Sequence, residues 1–127
     1  MNNPTSLKYA DTHEWVRLEE SGEITVGITD HAQDLLGDMV FAELPEAGQR
    51  FAAKEQCMLL ESVKAASDIY MPVGGEISAV NSNLEDEPEL INQDSFGDGW
   101  LFKLQPDNAS DVEALLSADA YEASLDE

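Results

Sequence analysis

Positive charge is what this chain has least of. Four lysines and two arginines stand against 27 acids in 127 residues, a formal net charge of −21 at pH 7. With no Lys/Arg patch to meet phosphates, nucleic acid is excluded as a natural partner. A single cysteine, Cys57, allows no intrachain disulfide and no cysteine-rich metal site. It lies in the apolar run Cys57-Met58-Leu59-Leu60, where a thiol behaves as a small buried hydrophobe. No apolar run approaches the ~20 residues that span a bilayer, so no membrane association is expected. The opening MNNPTSLKYADTHEW has no basic segment followed by an apolar stretch and is not rich in Arg and Ser. It therefore does not read as a secretory or organellar leader, and a cytoplasmic bacterial protein is expected, with a processed mitochondrial form as the lesser alternative. At this length the chain makes one domain, too short for a catalytic domain plus a carrier domain.

Catalytic patterns are missing too. His13, read in a strand beside Trp15, and His31, read in the first turn of a short helix, have no clustered ligand partners, so no metal site is assigned. The run Glu85-Asp86-Glu87-Pro88-Glu89 lacks the spaced oxygen ligands and central glycine of a calcium loop. Phe96-Gly97-Asp98-Gly99-Trp100 carries neither a phosphate-loop nor a dinucleotide fingerprint, and its glycines let two aromatics turn inward. No nucleophile elbow or pair of catalytic acids appears, so the chain is not expected to be an enzyme on its own.

What is present is a series of short strands punctuated by Gly, Pro, Asn and Asp, as in a small sandwich or barrel. Strand patterns cover residues 14–19, 24–28, 39–44, 56–63, 67–71, 76–80 and 100–104, with turns at Ser21-Gly22 and Gly74-Gly75. Asp30 is placed to cap a brief helix through Leu36, with Gly37 ending it. Residues 81–93 read as a polar loop. Ser110-Asp111-Val112-Glu113 has the form of a capping box and opens a helical tail, with a second amphipathic segment around Tyr121 and Leu125. The β core is expected over about 8–105 and the helices, over about 110–125, on its outside.

Among so few cations, Lys64 stands out by its position. It lies on a short small-residue stretch between the strand patterns at 56–63 and 67–71, with Ala65 and Ala66 beside it. An amine on a flexible stem at the tip of a hairpin is presented to a partner enzyme, as a site of covalent modification must be.

The same stretch, ESVKAASDIYMPVGGEI (61–77), resembles the lipoyl-lysine region of the glycine cleavage system H protein family. The likeness continues in KYADTHEWVRLEE (8–20), ITVGITDHAQDLLGDMVFAELPEAGQ (24–49), EDEPELIN (85–92) and GDGWLFKL (97–104), in family order and spacing. Val63 and Ala65 flank the lysine where a biotin carrier would have methionines, which favours lipoate.

The resemblance implies a fold of the lipoyl-domain type: a mostly β barrel-sandwich hybrid, a half-barrel of short antiparallel strands with a short internal helix and C-terminal helices. It implies (R)-lipoate attached to Lys64 by a lipoyl ligase or transferase that recognises the surrounding Glu61, Val63 and Ala65. The implied partners are the pyridoxal-phosphate glycine decarboxylase, the tetrahydrofolate-dependent aminomethyltransferase and dihydrolipoyl dehydrogenase. Residues matching Thr12, Glu14 and Asp68 would line a cleft where the aminomethyl-loaded arm folds back, carboxylates pairing with its amine. Asp30 and His31 would belong to the surface that partners meet. Alternatives of the same fold are a lipoyl-relay or regulatory protein and an unmodified acidic binding module. A surface this negative repels its own copies, so a monomer is expected, and it attracts basic partner surfaces.

Overall fold

A computed structural model describes residues 4–125. Among these residues, nine strands form two antiparallel sheets. β1 (Lys8–Tyr9), β2 (Glu14–Leu18), β3 (Ile24–Ile28), β5 (Arg50–Phe51), β8 (Gly75–Val80) and β9 (Phe102–Pro106) make a six-stranded sheet in the order β1-β2-β3-β9-β8-β5. β4 (Met39–Glu43), β6 (Gln56–Ser62) and β7 (Ala66–Tyr70) make the second, in the order β4-β6-β7. This is the expected sandwich of short antiparallel strands, and neither sheet closes into a barrel.

Alternation along the strands explains the layering. In β9 the burial runs buried, half-buried, buried from Phe102 to Leu104, and in β8 Gly75 and Ile77 are buried while Glu76 and Ser78 are exposed. Side chains from both sheets meet in one core: Val26, Ile28, Ile77, Phe102 and Leu104 from the larger, Met58, Leu60 and Ile69 from the smaller. Cys57 is buried among them, as read from the sequence, and its thiol donates to the Ile69 carbonyl at 3.4 Å. Burial pushes that thiol up to about 12, so it stays protonated and unreactive. A second cluster gathers Leu7, Tyr9, Trp15, Ala118 and Tyr121, with Phe96 and Trp100 packed against it.

Helix α1 (Asp30–Leu36) is capped one residue earlier than expected. The Thr29 hydroxyl accepts from the Ala32 amide at 3.2 Å, while the Asp30 carboxylate takes a hydrogen bond from Gln33 instead. Residues 81–93 are not a plain loop, for they hold two single-turn helices, α2 (Asn83–Asp86) and α3 (Leu90–Gln93), each anchored by one fully buried side chain, Leu84 and Ile91. The cap of α4 (Ala109–Glu113) is Asn108, whose side chain accepts from the Ser110 amide; the expected capping box lies two residues too late. Gly75 opens a strand and makes no turn; glycine is needed there because a Cβ would run into the Gln105 carbonyl oxygen across the β8–β9 pair. The tail ends in α5 (Ala118–Leu125). Among the described residues, no helix is long and apolar enough to cross a membrane.

Candidate functional site

Lys64 stands at the tip of the β6–β7 hairpin, exposed together with Val63, Ala65 and Ala66. The arms are those read from the sequence, shortened by one residue at the C-terminal end of β6 and shifted by one in β7. One side chain closes the turn. The Ser62 hydroxyl accepts from the amides of Lys64 (3.2 Å) and Ala65 (3.1 Å) and lies 3.2 Å from the Ala65 carbonyl, which also accepts from the Ser62 amide at 2.8 Å. Serine suits such a turn because its short hydroxyl reaches backbone groups two and three residues on. The Val63 amide donates to the Asp38 carbonyl at 3.0 Å and ties the tip to the start of β4.

The lysine stem lies over the end of α1. Gly37 terminates that helix at φ +82°, a left-handed conformation that glycine adopts without penalty. A Cβ at this position would come within 3.2 Å of Lys64 Cε, so the missing side chain also makes room for the lysine. Beside the stem opens a cleft of about 160 Å³ lined by Thr12, Ile28, Leu35, Leu36, Asp68 and Ile69, with His13, Ala32 and Ser67 completing it. Apolar walls with a few polar groups at the rim suit a narrow, mostly hydrocarbon arm.

The structure thus brings Thr12 and Asp68 to one cleft, but it sets Glu14 behind them. Glu14 is 1% exposed and takes a short hydrogen bond from the Thr12 hydroxyl. Burial pushes its carboxyl up to about 7, although the Thr12 hydroxyl and the main-chain amides of Tyr70 and Glu14 itself favour the charged form. No cation pairs with it among the described residues. Asp68 is exposed and accepts from Gln56 Nε2 at 2.9 Å. Glu61, Val63 and Ala65 are all exposed around the lysine.

His13 departs from its expected place. It precedes β2, and its φ of +76° puts it in the left-handed region, an uncommon conformation for a residue with a side chain. Its Nδ1 lies 2.7 Å from the Tyr121 hydroxyl, which lies 2.8 Å from Thr29 Oγ1. The His13 and His31 rings are 5.2 Å apart, closer than their spacing in sequence suggests. Burial, and then His31, hold the His13 ring below its ordinary range. Among the described residues no three His, Cys, Asp or Glu side chains gather to hold a metal ion. Tyr121 and Thr29 were not picked out as site residues. Tyr121 appeared only as a helical apolar position, and its partners lie 92 and 108 residues away.

Comparison with known proteins places the whole chain in a family. The family model described as Glycine cleavage H-protein matches residues 7–127. The chain is 60% identical over 126 residues to the Glycine cleavage system H protein of Shewanella sp. (strain ANA-3), covering 99% of this chain and 98% of that protein. It is also 60% identical over 124 residues to that of Shewanella frigidimarina (strain NCIMB 400), covering 98% and 96%. The crystal structure of a glycine cleavage system H protein from Mycobacterium marinum superposes with a TM-score of 0.89 at 37% identity, covering 98% of this chain and all of that one. A full-length match at this identity, on a fold that exposes a lysine at a hairpin tip, leads to one assignment. The chain belongs to the glycine cleavage H-protein family, the non-catalytic carrier component of the glycine cleavage system.

Proposed function

We propose that this protein carries (R)-lipoate on Lys64 and moves the aminomethyl group of glycine between the decarboxylase, the aminomethyltransferase and dihydrolipoyl dehydrogenase. The observation that carries the reading is the hairpin tip, where a rare cation is held in solvent by a turn that Ser62 fixes. Once attached, the group supplies a disulfide that takes two electrons, opens to a dithiol and holds a one-carbon unit on one sulfur.

The chain's own residues do the rest. Acylation converts the Lys64 ammonium to a neutral amide and leaves the domain one charge more negative. Gly37 leaves space for the stem, and Ile28, Leu36 and Ile69 offer an apolar seat that keeps water from the arm. Asp68 and Thr12 stand at the cleft to receive a cationic amine, and Glu14 behind Thr12 supplies a second carboxylate once ionised. Glu61, Val63 and Ala65 form the border that the acylating enzyme reads.

One domain over 1–127 suffices for this work, acting as a monomer in the bacterial cytoplasm. Serving three enzymes in turn favours modest contacts, since a slow release from any one would limit the cycle.

The test is intact mass with peptide mapping after incubation with lipoate, ATP and a lipoate ligase. A single lipoyl increment on Lys64, absent in Lys64→Ala, is expected. A folded wild-type protein that stays unmodified while a known acceptor reacts alongside would overturn the proposal.

A further inference from the structure

Of the large hydrophobic side chains described, Leu18, Leu35, Val40, Phe41 and Val63 are the exposed ones, and four of these five surround the lysine tip. Val63 adjoins Lys64 and is tied to Asp38 by its amide. Leu35 lies on α1, two residues before the Gly37 floor. Val40 and Phe41 owe their exposure to an irregularity in β4: Met39 pairs with Ser62 and Phe41 with Glu61, so two residues of β4 advance against one of β6. A regular strand would send one of two neighbours inward, whereas here both face solvent, at 53% and 47% exposure. Beyond Phe41 the surface falls into a hollow of about 590 Å³ lined by Ala42, Leu44, Pro45 and Val80 together with Glu43, Glu46 and Glu85.

Acids border this apolar tract. Asp34, Asp38, Glu43 and Glu61 flank it, and none of them forms an ion pair among the described residues. An apolar centre inside a charged rim is the anatomy of a protein-docking surface. The unpaired rim carboxylates specify a partner with basic residues around an apolar protrusion. Phe41 stands directly across from Glu61 in the β4–β6 ladder, so an enzyme seated on the flank of Lys64 covers both.

We infer that the Val40–Phe41 irregularity and the adjoining hollow are the docking face for the enzyme that acylates Lys64, a partner with an apolar protrusion set in a basic border. This rests on the proposed modification of Lys64. It adds to that reading an anchor on the neighbouring strand, outside the hairpin itself.

Initial rates of acylation by a purified lipoate ligase, with lipoate and ATP saturating and the full chain as the varied substrate, test it. In Phe41→Ser the KM for the acceptor is expected to rise about tenfold, the size of a lost interface anchor, with kcat within about twofold of wild type. Val40→Lys, at a still more exposed position, sets a cation against the partner's basic border and is expected to raise KM at least as much. Leu18→Ser, on the other sheet, is expected to leave both constants unchanged. Raising the salt concentration should weaken the wild-type KM by screening the rim. Wild-type KM values in both Phe41→Ser and Val40→Lys would overturn the docking face while leaving Lys64 modification intact. A wild-type chain that is never acylated would instead overturn the modification.

Discussion

The wall of the cleft that carries Thr12 and His13 is braced from behind by Glu14, Thr29 and Tyr121, all at most 1% exposed. The opposite wall, with Ser67 and Asp68, belongs to a hairpin whose tip stands in solvent and is fixed by the Ser62 hydroxyl, the Ser62–Ala65 backbone bond and the Val63 amide. The first wall is a seat and the second supplies reach. A carrier needs both, because its cargo must be held in transit and then handed over. Burial is therefore concentrated behind one wall of the cleft, and exposure at the tip of the other.

Replacing Tyr121 by Ala breaks the braced wall most severely. The change removes a fully buried ring stacked on Tyr9 at 4.9 Å, together with the hydroxyl that bridges His13 and Thr29. A loss of about 3–5 kcal/mol is expected in urea unfolding. Tyr121→Phe keeps the ring and is expected to lose only about 1 kcal/mol.

Glu14 sharpens the comparison through pH. Its carboxyl titrates near 7 in the fold against an ordinary value of 4.5, so the folded state holds a proton that the unfolded state releases first. The associated stability is fully present below pH 4.5 and is lost as pH rises through about 7, a change of roughly 3 kcal/mol. Denaturant melts of Glu14→Gln should lack that decline. His13 acts in the opposite sense: its depressed ring contributes stability above its ordinary 6.5 that is lost as pH falls. The difference between wild type and Glu14→Gln isolates the carboxyl.

Asp68→Asn is expected to have the smallest effect, within about 0.5 kcal/mol by thermal unfolding, since the side chain is exposed and its Gln56 contact lies at the surface. A large loss there would show that the hairpin wall is braced after all.

The hairpin was legible because small residues interrupt two apolar strand patterns, a contrast visible within a dozen residues. Most longer strands were legible for the same reason, but the two-residue strands β1 and β5 were not. β9 lies two residues later than read, and the division into two sheets follows from pairing that the local pattern does not show. Helices α2 and α3 were not, for each spans a single turn with one buried anchor, Leu84 or Ile91, too short for a helical period to appear. The caps at Thr29 and Asn108 were misplaced by one or two residues because neighbouring Asp30 and Ser110 offer equivalent side-chain chemistry. Lys64, Thr12 and Asp68 came from local motifs and family likeness. Tyr121 and Thr29 could not, since only the completed fold brings α5 to β3 and the His13 turn. The burial of Glu14 was equally hidden, for in sequence it is one acid among 27.

The bond from Val63 to the Asp38 carbonyl has a bearing on when the Lys64 tip acquires its shape. Part of the tip's scaffolding comes from outside the hairpin: Asp38 leads into β4, and the floor at Gly37 ends α1. A peptide copied from the hairpin has the residues but lacks that support. The turn that presents Lys64 therefore takes its full shape only once α1, the start of β4 and the hairpin have come together.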